Sequence, residues 1–163
     1  QGKFGSSPSL YQPCAGTVIA TLSSTSPSGL HSESSADDIF SFNLSSKPSC
    51  KLATGTSLRV GFASDASINS ASDGMTVYLK EGGTTVATGT LELSTTSDAH
   101  AFLTTNKVFV LSSSAKVYYV ELSSTAKFGL MTNETGVDDT LDVDLTFTDG
   151  TSTYQVEGNT LTY

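Results

Sequence analysis

Short runs in which apolar and hydroxyl-bearing residues alternate, closed by turn residues at intervals of about ten, constrain this chain more than any other feature. Gly16-Thr17-Val18-Ile19-Ala20-Thr21-Leu22 and Thr140-Leu141-Asp142-Val143-Asp144-Leu145-Thr146-Phe147 are two such runs. Successive side chains of an extended strand point to opposite faces, so each run presents one apolar and one polar face. Thr and the other β-branched residues suit that half-buried surface, and Ser plus Thr supply 51 of the 163 residues. No window shows a convincing period of 3.6, so helix is expected to be nearly absent.

The runs predict strands at about 15–23, 38–45, 57–64, 75–80, 84–93, 101–103, 108–111, 117–122, 140–148 and from 153 onward. Glu81-Gly82-Gly83 between two runs reads as a hairpin, and Asp149-Gly150 as another. The fold class expected is an all-β sandwich of roughly seven to ten strands with Greek-key character. Its expected core includes Val18, Leu22, Phe40, Phe42, Val60, Phe62, Val77, Leu79, Phe109, Val117, Tyr119, Leu141, Val143, Leu145 and Phe147. Residues 1–13 differ from the rest. Gly2, Gly5, Pro8 and Pro13 interrupt them, and only Phe4, Leu10 and Tyr11 are large and apolar. The chain therefore divides into an extended N-terminal arm, 1–13, and a β-domain, 14–163. The opening Gln1-Gly2-Lys3-Phe4 reads as the start of a processed chain.

The net charge is −8, with eight Lys plus Arg against sixteen Asp plus Glu. Nucleic acid is excluded as a partner, because scattered cations cannot displace its counterions. Anionic membrane surfaces are disfavoured for the same reason, and no apolar stretch has the length of a membrane span. Cys14 and Cys50 are the only cysteines, and their spacing fits neither a metal knuckle nor a redox pair. A disulfide is the preferred reading over two separate buried thiols, and it places the chain in an oxidising compartment.

Catalytic patterns are missing. His31 and His100 stand alone, without an HExxH spacing, and no GxSxG elbow accompanies the many serines. No enzyme is expected. Asp138, Asp139, Asp142 and Asp144 form the densest acidic group. On a strand, Asp142 and Asp144 share a face, which reads first as a solvated surface that discourages edge-to-edge aggregation. The functional reading is a Ca²⁺ site, since that ion takes several hard oxygen ligands. Glu33, Asp37 and Asp38 make a second, sparser candidate. Asn43-Leu44-Ser45 and Asn133-Glu134-Thr135 match the N-glycosylation triplet, with Asn133 in the better loop context and Asn43 on a strand.

The run Gly16 to Pro27, followed by Ile39-Phe40-Ser41-Phe42-Asn43-Leu44, resembles the opening of Ig-like β-sandwich repeats in bacterial and archaeal surface proteins. Thr76-Val77-Tyr78-Leu79-Lys80-Glu81-Gly82 and Gly158-Asn159-Thr160-Leu161-Thr162-Tyr163 look like later strands of such repeats. One such domain with an extended arm is also similar to the protomer of pilus-like extracellular filaments. The resemblance implies a non-enzymatic subunit that polymerises head-to-tail with copies of itself, each lending a strand to its neighbour's sheet. It implies Phe4, Leu10 and Tyr11 as inter-subunit anchors on the arm, with 153–163 as a rival donor. A monomeric adhesin or carbohydrate-binding module is the alternative it leaves open, with glycans as candidate partners.

Overall fold

The computed structural model describes residues 11–32, 35–65, 67–124 and 139–163. Strands form where the sequence alternates. In chain order they are β1 (Val18–Leu22), β2 (Gly29–Leu30), β3 (Ser35–Ser46), β4 (Cys50–Leu52), β5 (Ser57–Ser64), β6 (Thr76–Glu81) and β7 (Thr84–Thr90). There follow β8 (Glu92–Leu93), β9 (Asp98–Thr105), β10 (Phe109–Leu111), β11 (Lys116–Ser124), β12 (Thr140–Thr148) and β13 (Thr153–Thr162). The only helical element among the described residues is a single 3-10 turn, Ser70–Ser72, capped by the Asn69 side chain. Arm residues 1–10, including Phe4 and Leu10, lie outside the described residues, as do Glu33, Asn133 and Asp138.

One large sheet runs in the order β1-β3-β11-β6-β7-β9-β5-β12-β13-β2, with β8 added on β9, and β10 pairs β4 in a separate two-stranded sheet. The chain visits β5, β6, β7 and β9 in turn, yet the spatial order is β5-β9-β7-β6. That is a Greek key: a hairpin-connected trio whose last strand lies beside the strand that preceded it. Neighbours are antiparallel except β13 and β2, which pair in parallel through Leu161 and Thr162.

The sheet curls until its ends meet. Gly158 of β13 sits so close to Phe40 of β3 that a Cβ there would lie 2.7 Å from the Phe40 ring and 2.8 Å from the Val143 carbonyl oxygen. The seam between β1 and β13 is bridged by side chains: the Val18 N–H donates to the Tyr154 hydroxyl (3.3 Å) and Asn159 Nδ2 donates to the Ser26 carbonyl (3.2 Å). A single core fills the enclosed space. Its spine is an aromatic ladder, Phe40–Phe42–Tyr118–Phe109, with ring centroids 5.6, 5.6 and 5.2 Å apart. Leu58, Val60 and Phe62 of β5 and Leu141, Val143, Leu145 and Phe147 of β12 complete it.

β11 corrects one sequence expectation. Val117 is 38% exposed and Tyr119 is also turned outward, whereas Tyr118, Val120 and Leu122 are fully buried. Both alternating sets of this strand contain an aromatic residue and a valine, so neither stands out as the apolar one. Register decides: Tyr118 pairs with Phe42 and Val120 with Phe40, which turns the even-numbered set inward and Glu121 outward.

Candidate functional site

Two places on the body gather polar groups from distant parts of the chain. The first is the root of the arm. Gln12 to Cys14 run extended against β4: the Lys51 N–H donates to the Gln12 carbonyl and the Cys14 N–H to the Lys51 carbonyl, both at 2.9 Å. Pro13, which has no N–H to offer, sits between them opposite Lys51. Cys14 and Cys50 are joined by a disulfide, and both are 3% exposed. Tyr11, the one anchor candidate within the described residues, is half-buried.

Two residues further on, the Gly16 N–H donates to Asp149 Oδ2 at 2.7 Å. The same carboxylate accepts from the Thr151 and Ser152 N–H groups, each at 2.9 Å, and from the Tyr154 hydroxyl at 2.7 Å. Asp149 thus closes the β12–β13 turn and ties it to the arm root. Desolvation pushes its pKa up, but the Ser152 N–H, the Tyr154 hydroxyl and the Gly16 and Thr151 N–H groups outweigh that and hold it far below the usual carboxylate range. A depressed pKa contributes stability that is present above the unfolded-state value, about 4, and is lost as pH falls toward the folded one. The melting temperature of the Asp149→Asn variant is therefore expected to fall below that of the unaltered chain at pH 7, with the gap narrowing steadily below about pH 4. An unchanged gap at pH 2 would show that the charge is not what the four donors recognise.

The second place is a polar cleft of about 650 Å³ on the outer face of β9-β5-β12-β13. Strand pairing builds it in rows. Asp98, Ala63, Asp142 and Thr160 form one row; His100, Gly61, Asp144 and Glu157 the next; Phe102, Arg59, Thr146 and Gln155 the third. The floor is β5, where Gly61 and Ala63 have almost no side chain. The Asp144 carboxylate lies directly over Gly61, and Arg59 Nη1 would be 3.0 Å from a Cβ placed there. The walls carry Asp98, Asp142, Asp144 and Glu157, with Arg59 as the one cation among the lining residues. Thr160 donates its hydroxyl to Asp142. Asp144 and Glu157 are direct cross-strand partners of like charge, an arrangement that costs stability. Phe102, beside Arg59 on the same face, is 50% exposed.

Of the first Ca²⁺ candidate's residues, the described three, Asp139, Asp142 and Asp144, do not come together. Asp139 has the parity of the inward set of β12; it is 3% exposed, and its backbone pairs with that of Tyr163. Asp142 and Asp144 face the cleft instead, and among the described residues no three metal-ligating side chains come together. The alternation that joined Asp142 to Asp144 is what separates Asp139 from them. Asp37 and Asp38 are neighbours on β3 with different partners. Asp37 binds His31 Nε2 through both oxygens at 2.9 Å. Desolvation and the nearby Glu121 push the Asp38 pKa up, although Lys80 opposes this. Asn43 lies mid-strand on β3, between Thr21 of β1 and Val117 of β11.

His100 sits at the cleft rim with Glu92 on Nε2 (3.1 Å) and the Ser94 hydroxyl on Nδ1 (2.8 Å). That order of residues resembles a hydrolytic triad, but the surroundings do not suit one. The Glu92 side chain is 62% exposed, and the Ser94 and Thr95 N–H groups, the natural oxyanion donors, are both bonded to the Asp98 carbonyl.

No family model matches the chain, and no curated protein does. Among solved structures it is similar to the collagen binding subdomain of the Enterococcus faecalis surface protein ACE, at 9% identity over 90% of this chain and 97% of that one, with a TM-score of 0.37. It is also similar to the CssB subunit of enterotoxigenic Escherichia coli colonization factor CS6, complemented with a donor strand from CssA, at 10% identity, 90% and 96% coverage and a TM-score of 0.33. A third is AvmM, which catalyses macrocyclization in alchivemycin A biosynthesis, at 9% identity, 89% and 88% coverage and a TM-score of 0.43. At these scores no role passes from any of the three to this chain.

Proposed function

We propose that this chain is a non-enzymatic structural subunit of an extracellular filament or surface assembly, joined head-to-tail by strand donation from the N-terminal arm. The observation that carries the reading is the arm root. Gln12–Cys14 already bridge to β4 through two backbone hydrogen bonds to Lys51, and the Cys14–Cys50 bond lies where the arm leaves the body. A pull on the arm would load a covalent bond before it could unzip a ladder. The C-terminal segment is spoken for: β13 pairs with β12 along its length, and Leu161 is fully buried in its own domain. That favours the arm over 153–163 as the donor.

Phe4, Leu10 and Tyr11 are the arm's apolar anchors, each worth roughly 1.5–3 kcal/mol when fully buried. Ordering the backbone costs about 1–2 kcal/mol per residue, so loose docking would not suffice and main-chain hydrogen bonds to a strand edge are required. Deleting residues 1–12, which spares Cys14, is expected to leave a folded monomer. Negative-stain microscopy and light scattering of full-length and truncated chains check it. Fibres formed by the truncated chain would remove the arm from the mechanism.

The alternative, a monomeric adhesin or carbohydrate-binding module, is favoured by one observation, the polar cleft on β9-β5-β12-β13.

A further inference from the structure

We infer that the cleft over Gly61 is a carbohydrate site, one that takes an uncharged oligosaccharide and rejects acidic glycans. The inference rests on the binding-module reading and not on assembly through the arm, so it stands or falls independently of fibre formation. Size is the first argument. About 650 Å³ is within the range of small-ligand sites, and the polar lining comes from two cross-strand rows with Arg59 at one end.

The second argument is hydrogen-bonding chemistry. The walls are rich in acceptors: Asp98, Asp142, Asp144 and Glu157. Asp144 and Glu157 oppose each other across β12 and β13 and both line the cleft, and an ionised carboxylate is an acceptor only. A sugar is a rigid carrier of hydroxyl donors, and hydroxyl-to-carboxylate bonds are the strong, charge-assisted kind. Arg59 supplies the complementary donors, a planar fork able to hold two hydroxyl or ring oxygens at once. Rigidity matters, because a site open to solvent gains affinity chiefly when little freedom is lost on binding.

Shape is the third. Gly61 has no side chain on the floor of the middle row, and the Asp144 carboxylate fills the space one would take. A ligand over the middle row therefore meets the Asp144 carboxylate on the floor, with Glu157 across from it on β13. At the Arg59 end, the half-exposed Phe102 ring has the His100 ring packed edge-on at 5.4 Å. This fixes an apolar surface next to the polar row, the juxtaposition that suits a sugar's C–H face and hydroxyl rim.

Charge sets specificity. Four carboxylates against one guanidinium make the cleft negative, so sialylated, sulfated or uronate-bearing chains would meet repulsion that neutral ones do not.

The test uses the full-length chain on a glycan array bearing neutral, sialylated and sulfated oligosaccharides, followed by calorimetry with the neutral oligosaccharide bound best. The expected result is binding confined to uncharged glycans and nearly independent of salt. Affinity should fall roughly tenfold or more in Asp144→Asn and in Arg59→Met, as the loss of a hydrogen bond to a charged group predicts. Phe102→Ala should weaken it less. Thermal melts of each variant separate lost binding from lost folding, and Glu121→Gln, away from the cleft, should bind as the unaltered chain does. Three results would overturn the inference: no glycan bound at millimolar concentration, binding that survives Asp144→Asn and Arg59→Met together, or a lysine-rich peptide bound more tightly than any sugar with steep salt dependence. The last would make the cleft a cation-selective peptide site instead.

Discussion

Phe42→Ala is expected to destabilise the domain by about 3–5 kcal/mol, the range for removing a large aromatic side chain from a packed core. Phe42 is fully buried and sits in the middle of the aromatic ladder, 5.6 Å from Phe40 on one side and 5.6 Å from Tyr118 on the other. Both flanking rings belong to paired strands. Phe40 is on β3 with Phe42, and Tyr118 is its cross-strand partner on β11. The backbone cannot collapse into the vacated volume without breaking that register, so the cavity term adds to the transfer term. Since a domain of this kind is stable by only about 5–15 kcal/mol, the variant would lose a large share of its margin. Urea unfolding followed by tyrosine fluorescence checks this through the midpoint at constant slope. A shift worth less than about 1 kcal/mol would mean that the ladder repacks.

Replacing both cysteines, Cys14→Ala with Cys50→Ala, is expected to cost a similar amount, about 4 kcal/mol in the chain-entropy model for a loop of this size. The bond spans 36 residues, the whole of β1, β2 and β3, and so restricts a quarter of the unfolded chain. Its loss should be felt unevenly. β3 is held between β1 and β11 and should persist, whereas the arm root would depend on two backbone hydrogen bonds to Lys51 and on Gly16–Asp149. Hydrogen exchange should therefore show the Cys14 and Lys51 amides losing protection well before the β3 amides. A double variant that keeps full stability and arm-root protection would show that the bond does not restrain this end of the domain. Combining it with Asp149→Asn should cost more than the sum of the two, because each variant removes the other's remaining tether.

These tests concern features of different legibility. The strand positions could be read directly. The 57–64 and 140–148 runs are β5 and β12 to the residue, because a clean alternation bounded by turn residues leaves one way to bury its apolar face. The run from 153 onward is β13, and its Gly158 lies where the strand crosses over Phe40 and no side chain fits. β11 was ambiguous by composition and was settled only by Phe42 and Phe40 across the ladder.

The cleft was the least legible part. Asp142 and Asp144 could be placed together on an outward face by parity alone. Arg59, Gly61, Asp98 and Glu157 could not be joined to them, since these residues come from separate strands whose order follows a Greek key rather than the chain. Asp149 was readable as a turn residue, yet its bond to Gly16 spans 133 positions and leaves no local trace.

The amino-acid sequence by itself determined that the chain is all-β, where most strands lie, which of their faces are apolar and that the two cysteines had each other as the obvious partner. All of these follow from local periodicity and composition, which act over a few residues. The tertiary structure alone decided the strand order, the inward face of β11, the separation of Asp139 from its acidic neighbours and the rows that make the cleft. Those depend on which strands become neighbours and in what register, and a choice of that kind is made by the packing of the whole core.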